Sequence, residues 1–122
     1  MGSQLIAPSI LSADFSDLKS DIYMVNDSEA DWFHIDIMDG VFVPNISFGM
    51  PVLKSIKKYA TKTLDVHLMI VNPEKYFEKF AELGSNILTI HYEVSKDTLR
   101  DSIKEIKKYG MKAGVAINPD TD

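Results

Sequence analysis

Short apolar runs alternate with amphipathic stretches along this 122-residue chain, and this alternation restricts the fold more than any other feature. The apolar runs are typical of strands, while the stretches between them repeat apolar residues at helical spacing. The runs predicted as strands cover residues 5–11, 31–38, 64–70, 86–92 and 112–117. Strands that alternate with helices in this way predict right-handed crossovers and a parallel sheet covered by helices.

Four helices are predicted in the stretches that separate these strands. Capping residues and first-turn prolines indicate where each one begins. The predicted starting positions are Ser12 or Asp14, Pro51, Asn72, and Ser95 or Asp97. Gly84 and Gly110 are predicted to end the third and fourth helices, because glycine readily adopts the left-handed conformation that stops a helix. No Ser- or Gly-rich linker interrupts residues 1–122, which are therefore predicted to form a single domain.

Polar residues on two of the strands favour a barrel over an open doubly wound sheet. Successive residues of a strand point to opposite faces, so each strand has one polar and one apolar face. The polar faces carry His34, Asp36 and Met38 on the second strand and Asp65, His67 and Met69 on the third. An open doubly wound sheet would be apolar on both faces, whereas a barrel carries polar residues inside its catalytic mouth. The predicted fold is therefore α/β, a TIM (β/α)8 barrel truncated to about five strands and four helices.

Two histidines and one carboxylate form the constellation with the clearest chemical potential. His34 and Asp36 lie two apart on one strand, and His67 lies on the next strand, about 4.8 Å away in a sheet. All three side chains can therefore reach one ion. Two imidazoles and a carboxylate suit Zn²⁺, Fe²⁺, Mn²⁺ or Co²⁺ better than Mg²⁺ or Ca²⁺. A satisfied polar cluster inside a barrel remains the alternative at this point.

Charge and composition exclude several other classes of function. The net charge is −5, and lysine and glutamate residues are interspersed, so no basic stripe for nucleic acid or an anionic membrane surface is expected. The sequence contains no cysteine, which removes disulfide and thiolate chemistry. No run approaches the roughly 18 apolar residues that span a bilayer. A cytoplasmic location is the default expectation.

Four motifs in the sequence resemble those of one enzyme family. They occupy residues 5–15, 34–45, 65–69 and 113–119 and follow the family order over essentially the whole chain. Together they are similar to the successive motifs of ribulose-phosphate 3-epimerases. The decarboxylases and hexulose-phosphate synthases that share this barrel carry a lysine where this chain has Met38, which disfavours those relatives.

The resemblance implies an isomerase of the pentose phosphate pathway that interconverts D-ribulose 5-phosphate and D-xylulose 5-phosphate through a metal-stabilised enediolate. A divalent cation (Zn²⁺, Fe²⁺, Mn²⁺ or Co²⁺) is the implied cofactor. Asp36 is the implied catalytic acid/base and a metal ligand, with His34 and His67 as further ligands. Substrate contacts are implied for Ser9, His67, Met38 and Met69.

Several of these residues also have simpler structural interpretations. The Ser9 hydroxyl could bond only to backbone, and methionine most often fills gaps in a core. We interpret His91 as a structural or second-shell histidine, and Asp39 as a residue that shapes the loop after its strand.

The family also uses a second aspartate from strand seven and a glycine-rich phosphate loop, neither of which lies in this sequence. The truncated chain is therefore expected to be inactive alone and to form a homo-oligomer through its open edges. The alternatives are a non-catalytic, metal-binding half-barrel fragment, or an epimerase of a related six-carbon ketose phosphate.

Overall fold

Four parallel strands form a single sheet in the computed structural model, which describes residues 4–122. The strands are β1 (Trp32–Met38), β2 (Thr63–Met69), β3 (Ile87–His91) and β4 (Lys112–Ala116). Their order in the sheet is β1-β2-β3-β4, so each strand pairs with its neighbour in sequence. In a doubly wound sheet the order reverses at a switch point, and no reversal occurs among these strands. The winding is that of a (β/α) barrel, as predicted.

Among the described residues, one α-helix precedes the first strand and four lie in the connections between strands. They are α1 (Leu18–Asp27), α2 (Met50–Tyr59), α3 (Phe77–Glu82), α4 (Tyr92–Ser95) and α5 (Leu99–Lys108). Pro51 lies in the first turn of α2, as expected from its fixed φ. The fourth predicted helix corresponds to α5, and the short helix α4, which was not predicted, precedes it across a short turn.

The predicted first strand, residues 5–11, is not a strand, and the expected total of five strands is wrong for residues 4–122. The segment runs beside β1 and makes one isolated parallel bridge, Ser9 with His34. The backbone carbonyl of Pro8 accepts a hydrogen bond from His34 N at 3.0 Å. Pro8 has no N–H to donate, and the Ser9 side chain caps the 3-10 turn Ile10–Ser12. The segment therefore turns away before a ladder forms.

Ser47 covers the same margin of β1 near its C-terminal end. Its hydroxyl donates to the backbone carbonyl of Asp36 at 2.7 Å and accepts from the backbone N–H of Met38 at 3.0 Å. These are backbone groups that a neighbouring strand would otherwise pair with. One side chain from the loop before α2 thus bonds to two backbone groups of this margin.

The hydrophobic core lies between the sheet and the helices. β1 and β2 each alternate buried and partly exposed residues along their length. The fully buried strand residues are Phe33, Ile35, Leu64, Val66, Leu68, Leu88 and Ile90. Helix residues packed in the same cluster include Ile22, Leu53, Ile56, Phe77, Phe80 and Ile106. Burial of side chains of this size stabilises a fold by about 1.5–3 kcal/mol each, so this side of the sheet holds the fold together.

Two helix ends adopt the conformation that the sequence indicates, whereas several helix starts do not coincide with the predicted caps. Gly84 and Gly110 have φ values of +94° and +89°, in the left-handed region. Asn72 makes no side-chain cap; instead its own φ is 49°, and it forms a left-handed turn before Pro73. The predicted single domain also includes residues 1–3, which lie outside the described residues.

Candidate metal centre

His34, Asp36 and His67 converge on the face of the sheet opposite the core. His34 and Asp36 lie on β1, and the register pairs Asp36 directly with His67 on β2. One side-chain donor atom from each of the three residues lies within 4.8 Å of the other two. The sequence predicted this convergence from the two-residue period of a strand, and the group could hold a metal ion.

Asp36 is the centre of this group. Its Oδ1 atom lies 2.8 Å from His34 Nε2 and 3.1 Å from His67 Nδ1. The side chain of Asp36 is 16% exposed, so water competes weakly for these contacts. One carboxylate oxygen therefore faces two imidazole nitrogens at hydrogen-bond distance.

Asp65 fixes the orientation of the His34 ring. Its Oδ2 atom lies 2.8 Å from His34 Nδ1, on the side of the ring away from Asp36. The hydrogen bond to Asp65 raises the pKa of His34 above its usual value, against the opposing effect of burial. A carboxylate only accepts hydrogen bonds, so Nδ1 of His34 carries a proton, and in its neutral form the ring directs the Nε2 lone pair at Asp36. Two electron-rich atoms at this distance need a proton or a cation between them, which fits the chemistry of an ion site.

On the other side of the group, a hydrogen-bonded chain extends from His67 to Glu93. His67 Nε2 lies 2.8 Å from His91 Nε2, and the two rings stack with centroids 4.9 Å apart. His91 Nδ1 lies 2.9 Å from Glu93 Oε1, which also accepts the backbone N–H of Asn118 at 3.2 Å. Burial lowers the pKa of His67, and the neighbouring His91 lowers it further. The ring of His67 is therefore neutral at neutral pH.

The other predicted site residues lie around this group. Ser9 Oγ is 3.4 Å from Asp36 Oδ2 and also accepts the backbone N–H of Leu11 at 3.2 Å, so it both approaches the group and caps a turn. Met38 and Met69 pair with each other in the register, two residues beyond Asp36 and His67 toward the C-terminal strand ends. Both methionines are partly exposed on the same face of the sheet.

Asp39 stabilises the loop after β1 and makes no contact in the histidine group. Its Oδ1 accepts the backbone N–H groups of Val41 and Phe42, and its Oδ2 accepts that of Val71, each at 2.8 Å. Partial desolvation would raise the pKa of the Asp39 carboxyl, but these backbone N–H groups lower it below its usual value. The loop-shaping role predicted for Asp39 agrees with these contacts.

Asp65, His91 and Glu93 participate in the polar group but were not among the predicted site residues. His91 was interpreted as structural or second-shell, and its contact with His67 agrees with the second of these. The signal that could have found all three is a spacing: His34-x-Asp36, Asp65-x-His67 and His91-x-Glu93 each place an acid two residues from a histidine. Glu93 lies beyond the end of β3, in α4, so strand periodicity alone does not bring it to this face.

A cavity of about 480 Å³ lies near the C-terminal ends of β1 and β2, outside the histidine group. Its lining includes Ile37 and Ile70, which belong to the core side of the sheet, together with Phe48, Met50 and Tyr76. None of the three histidines lines it. The candidate metal centre is therefore a surface of the inner face and not part of this apolar cavity.

Comparison with known proteins identifies one family over nearly the whole chain. The model of the ribulose-phosphate 3 epimerase family matches residues 5–122. A ribulose-phosphate 3-epimerase of Synechocystis is 49% identical over 118 residues, which are 96% of this chain and 51% of that protein. The cytoplasmic isoform of Oryza sativa is 46% identical, over 95% of this chain and 51% of its own length. The ribulose-phosphate 3-epimerase of Bacillus subtilis is 47% identical, over 95% of this chain and 53% of its own length.

The chain thus spans about half the length of the curated relatives it matches. Among solved structures, an orotidine 5′-monophosphate decarboxylase from Methanocaldococcus jannaschii, crystallised with the inhibitor BMP, superposes with a TM-score of 0.64. The alignment covers 93% of this chain and 52% of that chain at 17% sequence identity, so the likeness concerns the fold alone. It confirms the predicted (β/α)8-barrel class. Within the described residues, no helix combines the length and apolar composition needed to cross a membrane.

Proposed function

The chain belongs to the ribulose-phosphate 3-epimerase family, and from this we propose that it supplies metal-binding and catalytic residues for the interconversion of D-ribulose 5-phosphate and D-xylulose 5-phosphate. The observation that carries the proposal is the convergence of His34, Asp36 and His67 within 4.8 Å on the inner face of the sheet. The sugar phosphate is the proposed substrate. The six-carbon ketose phosphates are the nearest alternative substrates.

The proposed ligands are His34 through Nε2, His67 through Nδ1 and Asp36 through Oδ1, the atoms that face one another. Two imidazole nitrogens are donors of borderline softness, and their presence beside one hard carboxylate oxygen supports Zn²⁺, Fe²⁺, Mn²⁺ or Co²⁺ over Mg²⁺ or Ca²⁺. Asp65 supports this role, because a carboxylate behind a ligating histidine fixes its ring and raises its basicity.

Asp36 is the proposed acid/base for proton transfer at C3 of the substrate. Epimerisation beside a ketone requires one group to remove the C3 proton and another to return a proton on the opposite face. Asp36 Oδ2 is directed away from the two imidazoles and has the Ser9 hydroxyl 3.4 Å away, so it is the oxygen available for the proton. When bound, a divalent ion would polarise the ketone and stabilise the charge that develops on its oxygen.

Ser9, Met38 and Met69 are the proposed substrate contacts, together with His67. The Ser9 hydroxyl can donate to a substrate oxygen when it leaves Asp36, because its present contact is long. Met38 and Met69 are partly exposed beside the group and offer an apolar wall against the carbon chain.

Deuterium exchange at C3 tests the proposal with this chain alone. The purified chain is saturated with Zn²⁺ or Fe²⁺ and incubated with ribulose 5-phosphate in deuterium oxide, and C3 is followed by NMR. We expect ion-dependent incorporation of deuterium, because one acid/base can remove and return a proton on the same face. Asp36→Asn should abolish the exchange, whereas Asp101→Asn, an exposed aspartate of α5, should leave it unchanged.

The outcomes separate the two candidate functions. Ion binding without any exchange would favour the alternative of a metal-binding fragment with no catalytic role. Exchange that persists in Asp36→Asn would contradict the proposed acid/base. Formation of xylulose 5-phosphate by the chain alone, at the rate of its exchange, would contradict the expected need for a second acid/base.

We also propose a cytoplasmic location and self-association, as supporting rather than central points. The Oryza relative is named as a cytoplasmic isoform. Val115 on β4 and Ile117 just after it are 43% and 61% exposed, and β4 pairs only with β3 among the described strands. Exposed apolar side chains beside an open strand edge favour pairing with another copy. Sedimentation of a clean monomer at high concentration would contradict the self-association.

A further inference from the structure

A buried chain of hydrogen bonds runs from His67 through His91 to Glu93. His91 is 5% exposed, and the ring of Phe42 packs over it with centroids 4.8 Å apart. His91 therefore has little access to water, and its two ring nitrogens depend on Glu93 and His67 for hydrogen bonds. In a neutral imidazole one nitrogen donates and the other accepts, so the partner of one nitrogen decides the role of the other.

The charge of Glu93 determines which nitrogen of His91 donates a hydrogen bond. Desolvation would raise the pKa of its carboxyl, but hydrogen bonds from His91 and from the backbone N–H of Asn118 lower it below its usual value. Glu93 is therefore a carboxylate at neutral pH and only accepts hydrogen bonds. His91 then carries a proton on Nδ1, 2.9 Å from Glu93 Oε1, and in neutral His91 the Nε2 atom accepts.

The same argument applies to the ring of His67. Because His91 Nε2 accepts, the proton between the two rings belongs to His67 Nε2, 2.8 Å away. His67 Nδ1 is then left with a lone pair, and it lies 3.1 Å from Asp36 Oδ1, on the side where His34 Nε2 also points. This arrangement mirrors the shorter one between β2 and β1, where Asp65 acts directly on His34.

We infer that His91 and Glu93 are positioning residues, which fix the proton of His67 on Nε2 and so present the Nδ1 lone pair to a divalent ion shared with His34 and Asp36. The inference rests on the proposed function and extends it to two residues that do not contact the ion position. Such supporting groups behind a ligating histidine typically change metal affinity by about 10–100-fold when they are removed.

Two measurements on the purified chain test the inference. The first is the dissociation constant for Zn²⁺ or Co²⁺, obtained by competition with a chromophoric chelator. Glu93→Gln keeps the size of the side chain and removes its charge, so either nitrogen of His91 can carry the proton. We expect binding about 10–100-fold weaker in this variant. Glu82→Gln, an exposed glutamate of α3, is the matched control and should bind as the wild type does.

The second measurement reports the proton positions and does not depend on ion binding or on activity. Nitrogen-15 NMR of the imidazoles should show His91 protonated on Nδ1 in the wild type, with or without the ion, and a coupling across the hydrogen bond from His67 Nε2 to His91 Nε2. Glu93→Gln should give a mixture of His91 tautomers. Glu93→Asp, which retains the charge, should keep the wild-type tautomer and serves as the second variant if Glu93→Gln fails to fold by circular dichroism.

The results distinguish a failure of the inference from a failure of the proposed function. His91 protonated on Nε2 in the wild type, or unchanged tautomers and affinity in Glu93→Gln, would overturn the inference. A chain that shows the expected tautomers but binds no divalent ion would support the fixed proton on His67, while the proposed metal-dependent function would fail.

Discussion

The two faces of the sheet are built from the same strands but on different principles. The face toward the helices consists of apolar side chains that are fully buried, such as Phe33, Ile35 and Val66. The opposite face consists of acids and histidines that are partly exposed and satisfied mainly by one another, such as Asp36 and His67. The first face gains stability from each contact independently, whereas on the second face each contact depends on where the protons lie. Stability and chemistry are thus separated across one layer of backbone.

The largest expected effect is on the core face. Phe33→Ala removes a fully buried ring and should lower the free energy of unfolding by about 3–5 kcal/mol. Urea denaturation in EDTA measures this loss. Ile35→Val removes one methylene and gives a graded control, with an expected loss of about 0.5–1.5 kcal/mol. The ion affinity of the folded fraction should not change in either variant, and a changed affinity would break the separation of the two faces.

The second effect is on the polar face, where a substitution should weaken ion binding strongly and change the free energy of unfolding little. Asp36→Asn removes the charge that both imidazoles face, so divalent ion binding should weaken by about 100-fold or more, beyond the range found for supporting residues. Calorimetry with Zn²⁺ measures the affinity. The free energy of unfolding in EDTA should change by less than about 1 kcal/mol, because without an ion the Asp36 carboxylate faces a lone pair of neutral His67 and gains no hydrogen bond from it. A large loss of stability without the ion would show that this face also holds the fold.

The third effect tests how tightly the polar face is packed beyond the histidines. Gly114 on β4 lies opposite Thr89 on β3, and a Cβ at Gly114 would overlap the Thr89 hydroxyl. Gly114→Ala should therefore cost about 1–3 kcal/mol through overpacking. Thr89→Ala in the same chain should restore most of the loss, as a double-mutant cycle would measure. Additive effects of the two substitutions would contradict direct contact between these residues.

The smallest effect concerns the loop that borders both faces. Asp39→Asn weakens the acceptor of three backbone N–H groups and should cost about 1 kcal/mol at neutral pH. The folded pKa of Asp39 lies below the value of about 3.9 in an unfolded chain, so its contribution is present above that pH and disappears as the pH falls through the folded pKa. Urea denaturation of both proteins at neutral and acidic pH measures this. A difference that grows on acidification would be the wrong sign.

The regular part of the two faces was predictable from sequence. The period of two along residues 31–38 and 64–70 predicted which side chains share a face, and parallel pairing then brought His34, Asp36 and His67 together. Residues 5–11 have the same apolar character, but Pro8 lacks an N–H and the Ser9 hydroxyl bonds to the following turn. Local hydrogen bonding there competes with the ladder, and a count of apolar residues does not detect that competition.

Glu93 shows a second limit of sequence reasoning. It reaches the polar face from a helical turn beyond β3, and it contacts the site only through His91. Its role depends on a ring stacking across two strands and on the direction of the hydrogen bonds, neither of which has a periodic signature. Strand patterns therefore predict the atoms around an ion position better than they predict the groups that orient those atoms.

The covered margin of β1 has a consequence for how copies of the sheet can join. Residues 5–9 and the Ser47 hydroxyl already occupy the backbone groups on that side, while β4 remains open on the other side. In the proposed self-association, the covered margin of β1 disfavours head-to-tail growth, which would require β4 of one molecule to pair with β1 of the next. Pairing between two β4 edges would instead form a closed two-fold pair.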